Sequence, residues 1–169
     1  FDKKDKFVVL FIWSLIDFKD PLTFIQSALD FQSNKEVVFL LVWNWNLMDE
    51  LQKFKQTNKL DNFIICWPSS DTEVFYYIAD VFCALSPFEN IWSNTIIEAF
   101  CMWLPCIITN SWYTKRILED GNWVVLINSN KSWELSEKIN HFKNNISYKN
   151  KMSDKAYNFW IRNFDDSKN

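Results

Sequence analysis

Residues 37–54, VVFLLVWNWNLMDELQKF, decide the fold of this chain. The unbroken apolar run over 37–42 predicts a strand that is buried on both faces, and the pattern that begins at Leu47 predicts a helix. A strand that turns into a helix over a few residues normally does so at glycine, because the backbone must bend tightly there. Here Trp43 and Trp45 flank Asn44 at the turn.

Short apolar runs of the same kind recur along the chain. They predict further strands at 7–12, 63–66, 81–85, 106–110 and 124–128. Most of them lack polar alternation, which indicates that helices cover both faces of the sheet. Strands that alternate with helices predict βαβ units and right-handed crossovers. We therefore expect one α/β domain over residues 1–169, with a doubly wound, Rossmann-like parallel sheet of about six strands.

The helices between these strands have recognisable starts. Asp20 and Pro21 provide an N-cap and a first-turn proline for one helix. Ser70 and Glu73 have the spacing of a capping box for another. Three further helices follow: from near Ser93, from Ser132, and over 147–162. In such folds ligands bind at the carboxyl ends of the strands, where helix N-termini present free N–H groups.

The composition excludes several functional classes. The chain has 169 residues, of which 49% are hydrophobic and 23% charged, as in a globular domain. A net charge of −3 without a dense basic block gives no reason to expect nucleic acid as a partner. The apolar runs are too short to span a bilayer, and no signal peptide is expected. Because the opening FDKKDK leads straight into a strand, we expect a fragment of a longer protein.

The thiols and the imidazole form no catalytic pattern. The four cysteines lie in or beside apolar stretches without a CxxC pair, so we expect buried, reduced thiols: Cys66, Cys83, Cys101 and Cys106. His141 lies in the polar stretch NHFKNN and is predicted at the surface without a role. The abnormal numbers are those of glycine and tryptophan. About 12 glycines are expected at a usage of about 7%, whereas the chain has 1 glycine and 10 tryptophans.

Five stretches carry a family resemblance. They are FIWSLIDFKDPLTFIQSA, VVFLLVWNWNLMDEL, DNFIICWPSSDTEVFYYIADVFCALSPFE, SNTIIEAFCMWLPCIITNSW and LEDGNWVVLI. In order and spacing they resemble the C-terminal, donor-binding domain of the retaining glycosyltransferases of family four. The resemblance covers nearly the whole chain and implies one half of the two-domain GT-B fold.

Most of the tryptophans stand where this family has glycine. Seven do so: Trp13, Trp43, Trp45, Trp67, Trp103, Trp112 and Trp123. Trp92 is an eighth candidate, whereas Trp133 and Trp160 lie inside predicted helices. Trp103 follows a helix and precedes Leu104 and Pro105, which is the left-handed position past a helix end. A side chain at a left-handed position costs roughly 1–2 kcal/mol, and overpacking adds about 1–3 kcal/mol per site. Because seven positions are affected, we expect this chain to fold poorly.

A mis-decoded gene would explain these tryptophans. Some bacterial genetic codes assign UGA to glycine and others assign it to tryptophan, so translation by the wrong table would place tryptophan at glycine codons. The alternative is that the tryptophans are native and stack on sugar rings in a sugar-binding module. Residues recruited for stacking should share one surface, however, whereas these stand at successive turns.

The resemblance implies transfer of a sugar, as in a hexosyltransferase, from a nucleotide-diphosphate sugar to a hydroxyl acceptor with retained configuration. The departing diphosphate requires positive potential around it. Lys19 matches the family lysine that pairs with the donor phosphates; the alternative is a solvated lysine beside Asp17 and Asp20. Ser14 stands in place of a family arginine and brings no charge. The resemblance implies neither a metal nor a cofactor.

The helix predicted from Ser93 carries the next set of implied donor contacts. Backbone N–H groups of Asn94 and Thr95 would face the diphosphate, aided by the helix dipole. Glu98 matches the second motif glutamate, which accepts hydrogen bonds from the ribose hydroxyls in the family.

The first motif glutamate has two candidates. The family spacing is Glu-x7-Glu, whereas Glu89 and Glu98 are separated by eight residues, so either Glu89 or Asn90 fills the position. We favour Glu89, with a catalytic role beside Lys19. The turn at Trp67 would lie near the base. The remaining donor contacts implied by the resemblance are Trp13, Ser14 and Pro68.

The resemblance also implies that this chain lacks the N-terminal half of the enzyme. An N-terminal half would bind the sugar or lipid-linked acceptor, so the isolated fragment should bind the donor poorly and transfer little. We expect a bacterial enzyme of surface polysaccharide or glycolipid synthesis in the cytoplasm, with peripheral contact at the inner face of the membrane. The alternative is a nucleotide- or sugar-binding interaction module that has lost catalysis, since Ser14 and the motif spacing depart from the family.

Overall fold

The computed structural model describes residues 3–12, 19–42, 48–67, 71–88, 92–112, 114, 123–128 and 130–164. Within them the strands are β1 Phe7–Ile12, β2 Val37–Val42, β3 Phe63–Cys66, β4 Val81–Ala84, β5 Cys106–Thr109 and β6 Val124–Ile127. All pair in parallel in one sheet of order β3-β2-β1-β4-β5-β6. The predicted doubly wound sheet is confirmed, and three of the predicted strands end one residue earlier than expected.

The helices lie between the strands and after the last one. They are α1 Pro21–Leu29, α2 Met48–Thr57, α3 Glu73–Ile78, α4 Asn94–Cys101, α5 Ser132–Asn144 and α6 Ile146–Phe164. Asp20 caps α1 as predicted, because its carboxylate accepts from the N–H of Thr23 at 3.0 Å. The predicted capping box of α3 is wrong. Its N-cap is Thr72, which makes no side-chain cap bond, and Ser70 lies outside the described residues.

Two hydrophobic clusters cover the two faces of the sheet. Alternate residues of β1 divide between them: Val9 and Phe11 pack with α1 and α5, whereas Val8, Leu10 and Ile12 pack with α4 and α6. This division follows from the period of two along a strand. It explains why β1 and β2 are apolar throughout, since both faces are covered by helices.

The cysteines are all free thiols, as expected, but their burial differs from the prediction. Cys83 and Cys106 are buried, and burial raises the pKa of both thiols. Cys66 is half-buried and Cys101 is exposed at the end of α4, which corrects the expectation that all are buried. His141 is at the surface as predicted, against the ring edge of Tyr148.

The strand order fixes where a ligand-binding crevice lies. From β1 the chain proceeds outward through β2 and β3, and then returns to the other side of β1 through β4. The strand order therefore reverses between β1 and β4, and in open α/β sheets the carboxyl ends of such a strand pair form the ligand-binding crevice. Among the described helices, none is long and apolar enough to cross a bilayer.

Candidate functional site

The β1 side of the crevice contributes Lys19. This residue directly precedes the α1 cap and is 8% exposed, so the alternative of a solvated lysine is wrong. The carboxylate of Asp20 accepts from both the N–H and the hydroxyl of Thr23, at 3.0 and 2.5 Å. Asp20 therefore serves the helix start, and the buried Lys19 directly precedes this cap.

The β4 side contributes the start of α4. Ser93 is the N-cap, as predicted, yet its hydroxyl makes no cap bond and instead lies 3.2 Å from the hydroxyl of Thr95. The first N–H groups of an α-helix have no intrahelical acceptor, and in α4 these include the N–H groups of Asn94 and Thr95, at the helix end that follows β4. Such a helix start is suited to bind an anion.

Glu98 extends this surface along α4. It is exposed and lies four residues after Asn94, so the two side chains share one face of the helix. The hydroxyl of Tyr76, on α3, donates to Oε2 of Glu98 at 2.8 Å and also approaches the carbonyl oxygen of Thr95 at 3.2 Å. Sequence reasoning did not identify Tyr76, because its partner Glu98 lies on another helix and 22 residues further along the chain.

The turn after β3 contributes Trp67, whose side chain is 69% exposed at the end of the sheet. Since β2 separates β3 from β1, these two strands lie roughly 10 Å apart across the sheet. The other predicted site residues lie outside the described residues: Trp13, Ser14, Pro68, Glu89 and Asn90. Trp43 and Trp45, in the turn between β2 and α2, also lie outside the described residues.

A further polar group at the carboxyl end of the sheet was missed. After β5, the N–H of Ser111 donates to the hydroxyl of Thr114 at 2.7 Å, and the N–H of Thr114 donates to that of Ser111 at 3.1 Å. The Thr114 hydroxyl also donates to the carbonyl of Thr109 at 3.2 Å. The signal was the spacing of Ser111 and Thr114, which is that of reciprocal capping.

Trp103 occupies the helix end that the sequence assigned to glycine. Its φ is 59°, its N–H donates to Phe100 O at 3.1 Å, and the next N–H, of Leu104, donates to Ala99 O at 2.9 Å. These two bonds define a Schellman motif, whose left-handed residue is usually glycine. The indole also stacks on Tyr157 at 3.9 Å and donates to Asp154 at 2.9 Å. The Trp103 side chain therefore makes two contacts with α6 at this position.

The other described tryptophans of this set differ from Trp103. Trp67 and Trp112 are each 69% exposed, so overpacking does not arise there, which corrects the expected cost. Trp123 stacks on Phe159 with ring centroids 3.8 Å apart. Trp92 packs against the same ring, with centroids 6.2 Å apart. Among the described tryptophans, only Trp103 has a positive φ.

Comparison with known families decides the identity of the chain. The family model described as "Glycosyl transferases group 1" matches residues 1–159. The chain belongs to this family. No curated protein matches this glycosyltransferase chain at the level of sequence.

Solved structures share the fold of this group 1 glycosyltransferase domain at low identity. HepE of Anabaena, crystallised with UDP-glucose, matches 96% of this chain with a TM-score of 0.84 and 17% identity. A TarM variant of S. aureus, crystallised with UDP, matches 95% with a TM-score of 0.83 and 17% identity. The C-terminal domain of LpcC from Francisella tularensis matches 94% with a TM-score of 0.74 and 16% identity.

The coverage of these proteins differs. The chain spans 46% of HepE and 33% of TarM, but 85% of the crystallised LpcC domain. Thus the group 1 glycosyltransferase chain spans less than half of the length of HepE and of TarM.

Proposed function

We propose that this chain is the donor-binding half of a retaining glycosyltransferase of family four. The observation that carries the proposal is the strand order, because it places β1, which precedes the buried Lys19, next to β4, which precedes the start of α4. The family match and a shared fold with HepE, crystallised with UDP-glucose, support a nucleotide-diphosphate sugar as the donor.

The proposed reaction is heterolysis of the bond between the donor sugar and the diphosphate, with a hydroxyl acceptor attacking on the face that retains configuration. Negative charge accumulates on the diphosphate as this bond stretches. The Lys19 ammonium and the N–H groups of Asn94 and Thr95 would stabilise that charge, so no metal or cofactor is required in this proposal. Glu98 would accept hydrogen bonds from the ribose hydroxyls. Glu89, or Asn90 in its place, would contact the transferred sugar.

The acceptor would bind to an N-terminal half of a longer protein. The chain covers less than half of HepE and TarM, which supports this division of labour. We propose a hexosyltransferase of bacterial surface polysaccharide or glycolipid synthesis, acting in the cytoplasm near the inner face of the membrane on a sugar or lipid-linked acceptor. The isolated half would transfer little.

We further propose that the seven tryptophans at family glycine positions are glycine in the native protein. Trp103 supports this, because a Schellman motif places it at φ 59°, where glycine is favoured. The test is intact-mass and peptide mass spectrometry of the protein from its natural source. Glycine at position 103 is the expected result, and an indole there, or UGG in the gene, would end this proposal.

The functional test uses the full-length protein and radiolabelled nucleotide sugars. Lys19→Ala and Glu98→Ala should each reduce sugar transfer by at least about tenfold. Lys53→Ala, on the exposed face of α2, is a matched control that should keep full transfer. Transfer that is unchanged in both site variants would contradict the assignment of the site.

A non-catalytic module is the second candidate, favoured by Ser14 in place of the family arginine. It predicts that the full-length protein binds a nucleotide sugar but transfers none to any acceptor. Binding without turnover, in a protein with verified sequence, would decide for this candidate.

A further inference from the structure

The contact between Tyr76 and Glu98 is the observation that extends the site. Tyr76 is 2% exposed, and its ring packs against Phe82 of β4 with centroids 5.7 Å apart. The sheet therefore holds the ring in place. Its hydroxyl reaches out of this core to the exposed carboxylate of Glu98, 2.8 Å away.

The hydroxyl of Tyr76 is a permanent donor in this contact. Burial raises the pKa of Tyr76 far above its ordinary value, and the adjacent carboxylate of Glu98 raises it further. The phenol thus keeps its proton at every physiological pH. Since Glu98 Oε2 is the nearer acceptor and is charged, it takes the proton in preference to the carbonyl of Thr95 at 3.2 Å.

An exposed glutamate on a helix ordinarily samples many rotamers, and ordering it at a ligand costs conformational entropy. The Tyr76 bond restricts one carboxylate oxygen of Glu98 before any ligand arrives. A carboxylate offers about four lone-pair positions, so one donor leaves enough of them for two adjacent hydroxyls. The bond therefore orients Glu98 without using up its capacity to accept.

We propose that Tyr76 is a positioning residue that holds Glu98 ready for the ribose hydroxyls of the nucleotide donor, an inference that rests on the proposed function. It follows that the site selects ribonucleotide over deoxyribonucleotide donors. The selection depends on Tyr76 as well as on Glu98. A purely structural role, in which the bond only joins α3 to α4, predicts no such selectivity.

The test measures affinity in the full-length protein by calorimetry with UDP-glucose, GDP-mannose and ADP-glucose, and with the 2′-deoxyribose form of each. Tyr76→Phe keeps the buried ring and removes only the hydroxyl, so folding should be retained. We expect about a fivefold to twentyfold loss of affinity for the preferred ribonucleotide donor and less than about twofold for its deoxy form. Tyr77→Phe, the same change at a neighbour that is 80% exposed, should have no effect.

A double-mutant cycle separates positioning from a structural role. In a Glu98→Ala background, Tyr76→Phe should produce no further loss. An equal loss in both backgrounds, or for both forms of the donor, would overturn the inference. If Glu98→Ala weakens binding but Tyr76→Phe does not, the inference fails while the proposed function stands. If Glu98→Ala has no effect, or no nucleotide sugar binds, the proposed function fails and the inference fails with it.

Discussion

The two ends of the β4 strand use charge in opposite ways. At the amino end, Asp80 accepts from the N–H of Val8 at 2.9 Å and from the ammonium groups of Lys149 and Lys3 at 2.9 and 3.1 Å. At the carboxyl end, Ser93 is the N-cap of α4 but makes no side-chain cap bond.

This difference separates stability from binding. The amino end joins β1, β4, α6 and the N-terminal segment through one half-buried carboxylate, whose partners all belong to the chain. At the carboxyl end, the adjacent strands β1 and β4 are followed by the buried Lys19 and by a helix start that is suited to an anion. Substitutions at the amino end should therefore change the free energy of unfolding, and substitutions at the carboxyl end should change ligand affinity.

The largest expected effect is on stability at the amino end. Asp80→Ala leaves Lys149 and the N–H of Val8 without their acceptor, so we expect a loss of about 2–4 kcal/mol in the free energy of unfolding. Urea denaturation followed by circular dichroism measures it. The matched control is Glu36→Ala, which breaks the surface ion pair with Lys143 and should leave the midpoint unchanged. Equal urea midpoints for the two variants would contradict the claim that Asp80 stabilises the fold more than the surface ion pair of Glu36 does.

The same carboxylate predicts a pH dependence. Burial opposes ionisation of Asp80, but the hydrogen bond from Val8 and the ion pairs with Lys149 and Lys3 outweigh it, so the pKa of Asp80 lies below its ordinary value. A lowered folded-state pKa means that this stabilisation is complete above the unfolded pKa and is lost as pH falls through the folded pKa. Wild-type stability relative to Asp80→Asn should therefore be constant from neutral pH to about pH 5 and decline below about pH 4. A gap that widens on acidification would contradict this.

A smaller effect is expected at the carboxyl end. Lys19→Met keeps the aliphatic stem and removes the charge, so affinity for UDP-glucose should fall about tenfold. Affinity for uridine, which has no phosphate, should not change. Calorimetry with both ligands checks this, and an equal loss for both would show that Lys19 acts through packing.

The smallest effect concerns the tryptophans. At the left-handed position 103, Trp103→Gly should be more stable than Trp103→Ala by about 1 kcal/mol. At Trp67 and Trp112, whose φ values are not positive, glycine should be no more stable than alanine. Thermal denaturation of the three pairs measures the difference. A uniform preference at all three positions would mean that left-handed backbone is not what distinguishes position 103.

The strands and the Trp103 helix end were predictable because both depend on local pattern. Apolar runs such as those of β1 and β2 predict strands that are covered on both faces, and the residues around Trp103 match the pattern of a helix end. The contacts of Tyr76 with Glu98, and of Trp103 with Tyr157, were not predictable, because each requires the packing of helices that are distant in sequence. The exposure of Cys101 was missed for the same reason, since the face of α4 that is buried depends on what packs there.

The most direct test of the crevice at the carboxyl ends of β1 and β4 is a nuclear magnetic resonance titration of the ¹⁵N-labelled full-length protein with UDP-glucose. We expect the amide signals of Lys19, Asn94 and Thr95 to shift first and furthest, while those of Asp80 and Lys149 stay in place. Saturable shifts centred on Asp80 and Lys149, with Asn94 and Thr95 unmoved, would contradict this expectation.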